Sequence, residues 1–273
     1  MKRRDFALTL PVLATLSHLP AFAQSRRDAV VMGMTLEPPG LDPTTGAAAA
    51  IGEVVHYNIL ETLTKINSDG SVTPLLAERW EVSPDLRTYT FYLRKGVKFS
   101  NGEPFNAATV KYAFERAAGE KSTNKDKRNF SSMESVRVID DHTVVIINKE
   151  PDPDCLFDMG QATAVIVEPK SADTNATKPV GTGPYVLGNW AKGSSITLQA
   201  SPSYRAAKAL KIRRATFRFI SDPAAQVAAV LSGDVDAFPR VTPRGAAQFK
   251  ANPRLQTLVS GSRAKTVLAI NNA

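Results

Sequence analysis

Residues that usually carry chemistry are scarce in this chain. Cys155 is the only cysteine among 273 residues, which excludes an intramolecular disulfide and any thiolate metal cluster; Leu156 and Phe157 beside it mark it as a small buried hydrophobe. Beyond the first 23 residues the histidines are His56 and His142, too few and too far apart in sequence for a zinc site or a proton-transfer pair. There is no Gly-x-Ser-x-Gly elbow, His-Glu-x-x-His helix or Walker loop. An exported hydrolase would need a nucleophile that the sequence does not advertise, so no catalytic residue, metal ligand or cofactor is assigned. Low-complexity tracts and repeats of solenoid period are also lacking, and 43% hydrophobic residues is the composition of a folded protein of one or two domains.

Long apolar runs are missing except at the N-terminus. There Lys2, Arg3 and Arg4 precede an apolar stretch from Phe6 to Phe22, broken by Pro11 and Pro20, and Ala21 and Ala23 frame a small-x-small cleavage pattern before Gln24. Residues 1–23 are therefore expected to be a removable export signal rather than a membrane span. Arg3, Arg4, Asp5 and Phe6 look like a twin-arginine signal, but Lys2 and Ala7 depart from it, so that route and the general secretory route both stay open. No cysteine near the cleavage position supports a lipid anchor.

Acidic excess is lacking as well. The formal charge is +8, and about +6 without the first 23 residues. Basic residues gather at Lys121, Lys125, Lys127 and Arg128 and again at Lys208, Lys211, Arg213, Arg214 and Arg218. In an exported chain without an aromatic-interleaved basic motif these read as solvated faces rather than a nucleic-acid site, with anionic lipid headgroups or an anionic solute as the alternative.

What is present is concentrated between Leu76 and Ala117. Ser83, Pro84 and Asp85 signal a turn, after which Tyr89, Phe91 and Leu93 alternate with polar neighbours at strand period. Lys95 and Gly96 break the run, Val97 and Phe99 are expected to resume it as a hairpin, and Asn101-Gly102 suits a tight turn. Asn106 can cap a helix whose Val110, Ala113, Phe114 and Ala117 share a face. Further along, Ile51 to Leu63 suggests a helix, Asp69-Gly70 a turn, and Val136, Val138 and Val144 to Ile147 a hairpin with Asp140 and Asp141 at its solvated tip. Ala215 to Ile220 reads as a strand, Asp222-Pro223 to Gly233 as a capped helix, and Val235 to Phe238 as a strand. Thr242-Pro243 opens another helix, and Leu255 to Val259 and Thr266 to Ile270 complete an alternation that predicts a largely parallel sheet.

The order Trp80, Ser83, Asp85, Tyr89, Phe91, Leu93, Arg94, Gly96, Val97, Phe99, Asn101, Gly102, Phe105, Ala107 and Val110 resembles the signature of the family 5 extracytoplasmic solute-binding proteins, the dipeptide- and oligopeptide-binding components of ABC importers. Thr109 stands where that family often has an acidic residue. Leu41-Asp42-Pro43, the segment Val180, Gly181, Thr182, Gly183, Pro184, Tyr185 and the segment Leu231 to Asp236 resemble it too.

The resemblance implies an α/β fold with an inserted α+β subdomain, a periplasmic-binding-protein-like lobe I of type II whose second lobe is missing from this chain. Its expected divisions are a signal peptide at 1–23, the first part of lobe I at 24–66, a β-rich insertion at 67–180 and the return segment at 181–273. It also implies extracytoplasmic capture of a peptide or other small solute, ABC permease subunits as partners, a monomer, no nucleic acid and no enzymatic step. A stand-alone interaction module is the alternative. By family layout Gly46, Ala47, Ala48, Phe130 and Asn271 face the solute cleft. Small residues at 46–48 would let a ligand backbone approach closely, though a helix lead-in would use the same types; Phe130 reads either as a ligand contact or as a subdomain plug. A lone first lobe is expected to bind peptide more weakly than a complete importer component.

Overall fold

The computed structural model describes residues 28–240, 242–249 and 252–258. The expected signal segment, the strand expected at Thr266 to Ile270 and Asn271 lie outside them. The chain folds as β1 (Ala29–Met34), α1 (Ala49–Val55), β2 (Thr64–Ile66), β3 (Val72–Pro74), β4 (Ala77–Val82) and β5 (Thr88–Leu93). It continues through α2 (Ala107–Ala118), α3 (Lys127–Ser131), β6 (Met133–Asp140), β7 (Thr143–Asn148) and α4 (Cys155–Asp158). Then come β8 (Tyr185–Ala191), β9 (Ser195–Ala200), β10 (Arg214–Phe219), α5 (Pro223–Ser232) and α6 (Pro243–Phe249).

Two four-stranded sheets carry the architecture. One has the order β4-β5-β7-β6 and is antiparallel throughout. Strict alternation in β5 turns Tyr89, Phe91 and Leu93 inward, where they meet Val144 and Ile146 of β7 in the core. Helix α2 covers this sheet with Val110, Ala113, Phe114 and Ala117. It starts where it should: Thr109 N–H donates to Asn106 Oδ1 at 3.1 Å and Asn106 N–H to Thr109 Oγ1 at 3.2 Å. Thr109 thus closes a reciprocal cap where an acid would otherwise serve.

The other sheet has the order β1-β10-β9-β8. Strands β1 and β10 run parallel, Ala29 opposite Arg214 and Met34 opposite Phe219, whereas β9 is antiparallel to both of its neighbours. The sheet is therefore mixed, not largely parallel, because β8 and β9 are joined as a hairpin through Gly193, whose φ is +74°. The strand expected at Val235 to Phe238 shrinks to a single parallel bridge between Met32 and Ala237. Its ladder is interrupted because Val31 N–H goes to the Asp236 carboxylate at 2.6 Å. Asp222 caps α5 and Gly233 ends it at φ +80°, as expected, while residues 255–258 form no strand.

Two more expectations fail for identifiable reasons. Both edges of β5 are taken by β4 and β7, so Val97 to Phe99 has no strand to pair with; it folds instead onto Glu103 to Phe105 across the Asn101-Gly102 turn. The helix expected to reach Leu63 ends at Val55, since Tyr57 takes a positive φ of 61° and its N–H bonds to Leu60 O at 2.9 Å.

Between the sheets, the Gly181-Thr182-Gly183 segment crosses Asn58 and Ile59 backbone to backbone. A Cβ on Gly181 would overlap the Ile59 carbonyl oxygen, and one on Gly183 would stand 2.5 Å from Asn58 O. Gly183 N–H donates to Ile59 O and Tyr185 N–H to Asn58 O, both at 2.9 Å. These glycines serve close backbone packing, which is why a nucleotide-binding reading of the motif does not arise.

Candidate functional site

The loop that follows β1 is held by its own acid. Asp42, buried, accepts at Oδ1 from Thr44 N–H at 2.8 Å and from Thr44 Oγ1 at 2.6 Å, and its carbonyl accepts from Gly46 N–H at 3.0 Å. Arg116 reaches across from α2, donating to Thr44 Oγ1 at 2.7 Å and standing 3.6 Å from Asp42 Oδ2. Thr123 Oγ1 donates to Thr45 O at 3.1 Å. The turn is thus clamped from two sides, and Arg116 neutralises the buried carboxylate that shapes it.

What the clamp presents is bare backbone. Gly46 is half-buried, and a Cβ there would crowd only the end of the Ile51 side chain, at Cδ1. Ala47 and Ala48 are exposed, and neither of their N–H groups donates to another described residue. Small side chains and free amides together form a surface that an extended ligand backbone can approach and hydrogen-bond.

The other expected site residues behave differently. Phe130 is 3% exposed and its ring packs 5.5 Å from that of Phe114. It is a core plug of the α2–α3 corner, not a cleft residue: the apolar ring is already buried against its neighbours, so no face is left for a ligand. Asn271 lies outside the described residues. Gly46, Ala47 and Ala48 are brought together by adjacency alone.

Sequence reading missed the polar groups that hold these loops. Glu61, 2% exposed at its side chain, accepts from Arg205 at both oxygens, at 2.7 and 2.8 Å, and from Thr182 Oγ1 at 2.9 Å. Glu37 accepts from Trp190 Nε1 at 2.8 Å and Gly193 N–H at 2.9 Å. Their partners are more than a hundred residues apart, and no local pattern connects them. His56 stacks on Tyr57 at 3.7 Å, and burial pushes its pKa down to about 4, so the imidazole is neutral near pH 7. Among the described residues no group of three or more His, Cys, Asp or Glu side chains is arranged to hold a metal ion, and no helix is long and apolar enough to cross a membrane.

Comparison with known proteins agrees with this geometry. The glutathione-binding protein GsiB of Salmonella choleraesuis is 28% identical over 267 residues, covering 96% of this chain and 52% of that protein. The structure of the binding protein AgaA from A. tumefacien in complex with agropinic acid superposes with a TM-score of 0.77 at 30% identity, over 82% of this chain and 46% of the other. Haemophilus influenzae OppA in complex with RPPGFSPFR gives 0.75 at 28% identity, over 82% and 48%. The chain thus spans about half the length of these relatives. The sequence pattern of the bacterial extracellular solute-binding proteins, family 5 Middle, matches residues 71–273. With that match and the lobe architecture in agreement, the chain belongs to family 5 of the bacterial extracellular solute-binding proteins, a family of solute-binding transport proteins.

Proposed function

We propose that this chain takes part in capturing a small solute, di- or oligopeptides above all, outside the cytoplasm for an ABC importer, without chemical conversion of the solute. The observation that carries this reading is the clamped Gly46-Ala47-Ala48 loop with its undonated amides. A peptide laid along it gains main-chain hydrogen bonds that do not depend on side-chain identity, which suits a carrier of varied peptides. OppA with RPPGFSPFR and the glutathione-binding relative favour peptide-like solutes; AgaA with agropinic acid marks other small acids as the second class.

Residues 1–23 act in this reading as the export signal, by the twin-arginine or the general route, and the protein works as a periplasmic monomer that delivers to permease subunits. Residues 67–180 are the inserted subdomain between the lobe I segments 24–66 and 181–273. The separate β4-β5-β7-β6 sheet supports that division.

Titration calorimetry of the full chain with pooled di- to octapeptides tests the proposal. Saturable heat with a Kd of about 1 mM or tighter, equivalent to about −4 kcal/mol, is expected. The Ala47→Trp variant should weaken it about tenfold or more with an unchanged melting temperature, because the ring would cover the free amides at an exposed position. Absence of saturable heat from every pool, or undiminished heat from Ala47→Trp, would overturn it.

A further inference from the structure

At the start of β1 lies a second feature. Asp28, Gln199, Arg213 and Arg214 line an open pocket of about 460 Å³ at the start of β1 and β10. Six strand residues, about 20 Å at the rise of an extended chain, separate it from the loop end of β1. Its floor is rigid: Arg214 N–H donates to Asp28 O at 3.1 Å and Ala200 N–H to Arg213 O at 2.8 Å.

The charge there is unbalanced. Lys208, Lys211, Arg213 and Arg214 are all exposed, and among the described residues none of them is in an ion pair; the one polar contact of their side chains is Arg213 to the neutral carbonyl of Ala207. Among the described residues Asp28 is the only acid on the pocket lining. Elsewhere Arg79 pairs with Glu81 and Lys170 with Glu103, while exposed residues such as Lys121 and Lys125 are in no ion pair among the described residues; what sets this edge apart is that two guanidinium groups line one polar pocket. Cations left unpaired around a polar pocket raise the local potential and favour phosphate groups.

We propose that this basic edge docks on the phosphate headgroups of an anionic lipid surface, keeping the protein near the membrane in which an importer sits. Phosphate oxygens accept from the two guanidinium groups in the pocket, and Lys208 and Lys211 add attraction at longer range.

Sedimentation of the full chain with vesicles of phosphatidylglycerol or phosphatidylcholine, in salt of about 50 and about 300 mM, tests this. Expected are at least about tenfold preference for the anionic vesicles at low salt, loss of that preference at high salt, and a fall of about tenfold or more in Arg213→Gln/Arg214→Gln. Arg213→Lys/Arg214→Lys keeps the charge and should keep the binding, so a general folding defect is told apart from a lost site. Equal binding to both lipids, or an equal fall in the remote pair Lys121→Gln/Lys125→Gln, overturns the proposal. Complete displacement by millimolar inorganic phosphate overturns it too, by assigning the pocket to a free anion. Solute capture is read separately by calorimetry, so neither result decides the other.

Discussion

Arg205 closes on Glu61 with both terminal guanidinium nitrogens, at 2.7 and 2.8 Å, across 144 positions of sequence. Thr182 Oγ1 supplies a third hydrogen bond to the same carboxylate. The cluster ties the end of the first segment, the Gly181-Gly183 crossing and the loop before β10 to one point. Removing Arg205 leaves a buried carboxylate without its counter-charge. Because Arg205 keeps 24% of its side chain in solvent, Arg205→Ala should cost about 2–3 kcal/mol, at the low end for buried pairs. Urea denaturation would read it, and Glu61→Met/Arg205→Met should restore part of the loss.

Gly181→Ala should be far more damaging than Gly102→Ala. At Gly102 the added methyl meets open space and suffers only from a φ of +91°, a penalty of about 1 kcal/mol. At Gly181 it meets the backbone oxygen of Ile59, which cannot move without breaking the crossing. Comparable midpoints of thermal unfolding for the two variants would refute the close-packing account.

Asp158 sets a pH dependence. Burial, then the nearby carboxylates of Asp152, Asp154 and Asp126, raises its pKa from 3.8 to about 6. A folded-state value above the unfolded one means the folded protein binds the proton more tightly. The contribution is therefore fully present below pH 3.8 and is lost as pH rises through about 6. Asp158→Asn should stabilise the protein at pH 7 and flatten the slope of stability between those limits, measured by urea midpoints in a pH series.

Phe130→Ala should cost about 3–4 kcal/mol by opening a cavity against Phe114. At temperatures where the variant stays folded, peptide heats should match those of the parent. A selective loss of binding with unchanged stability would return Phe130 to the cleft.

Cys155 is 1% exposed, and burial pushes its thiol up to about 12. An aromatic disulfide reagent at pH 8 should modify it only at the rate of unfolding, so the rate should rise with urea. Prompt modification of the native protein would contradict the packing.

Local order was legible in the residues themselves. The Tyr89-Phe91-Leu93 alternation, the Asn106 cap, the Asp222-Pro223 start and Gly233 stop, and the Asp140-Asp141 hairpin tip each depend on neighbours within a few positions, where period, capping and turn chemistry act. The Leu76 to Ala117 wording pointed to the family for the same reason, being a contiguous string. Tertiary structure decided the rest. The parallel pairing of β1 with β10 joins residues 185 positions apart, and Arg116 with Asp42 and Arg205 with Glu61 meet only because separate segments bury a common core. The folding of Val97 to Phe99 onto Glu103 to Phe105 and the burial of Phe130 follow from which edges and pockets the other segments fill. Spacing along a chain encodes which face is apolar, but which partner covers that face is set by the packing of the whole.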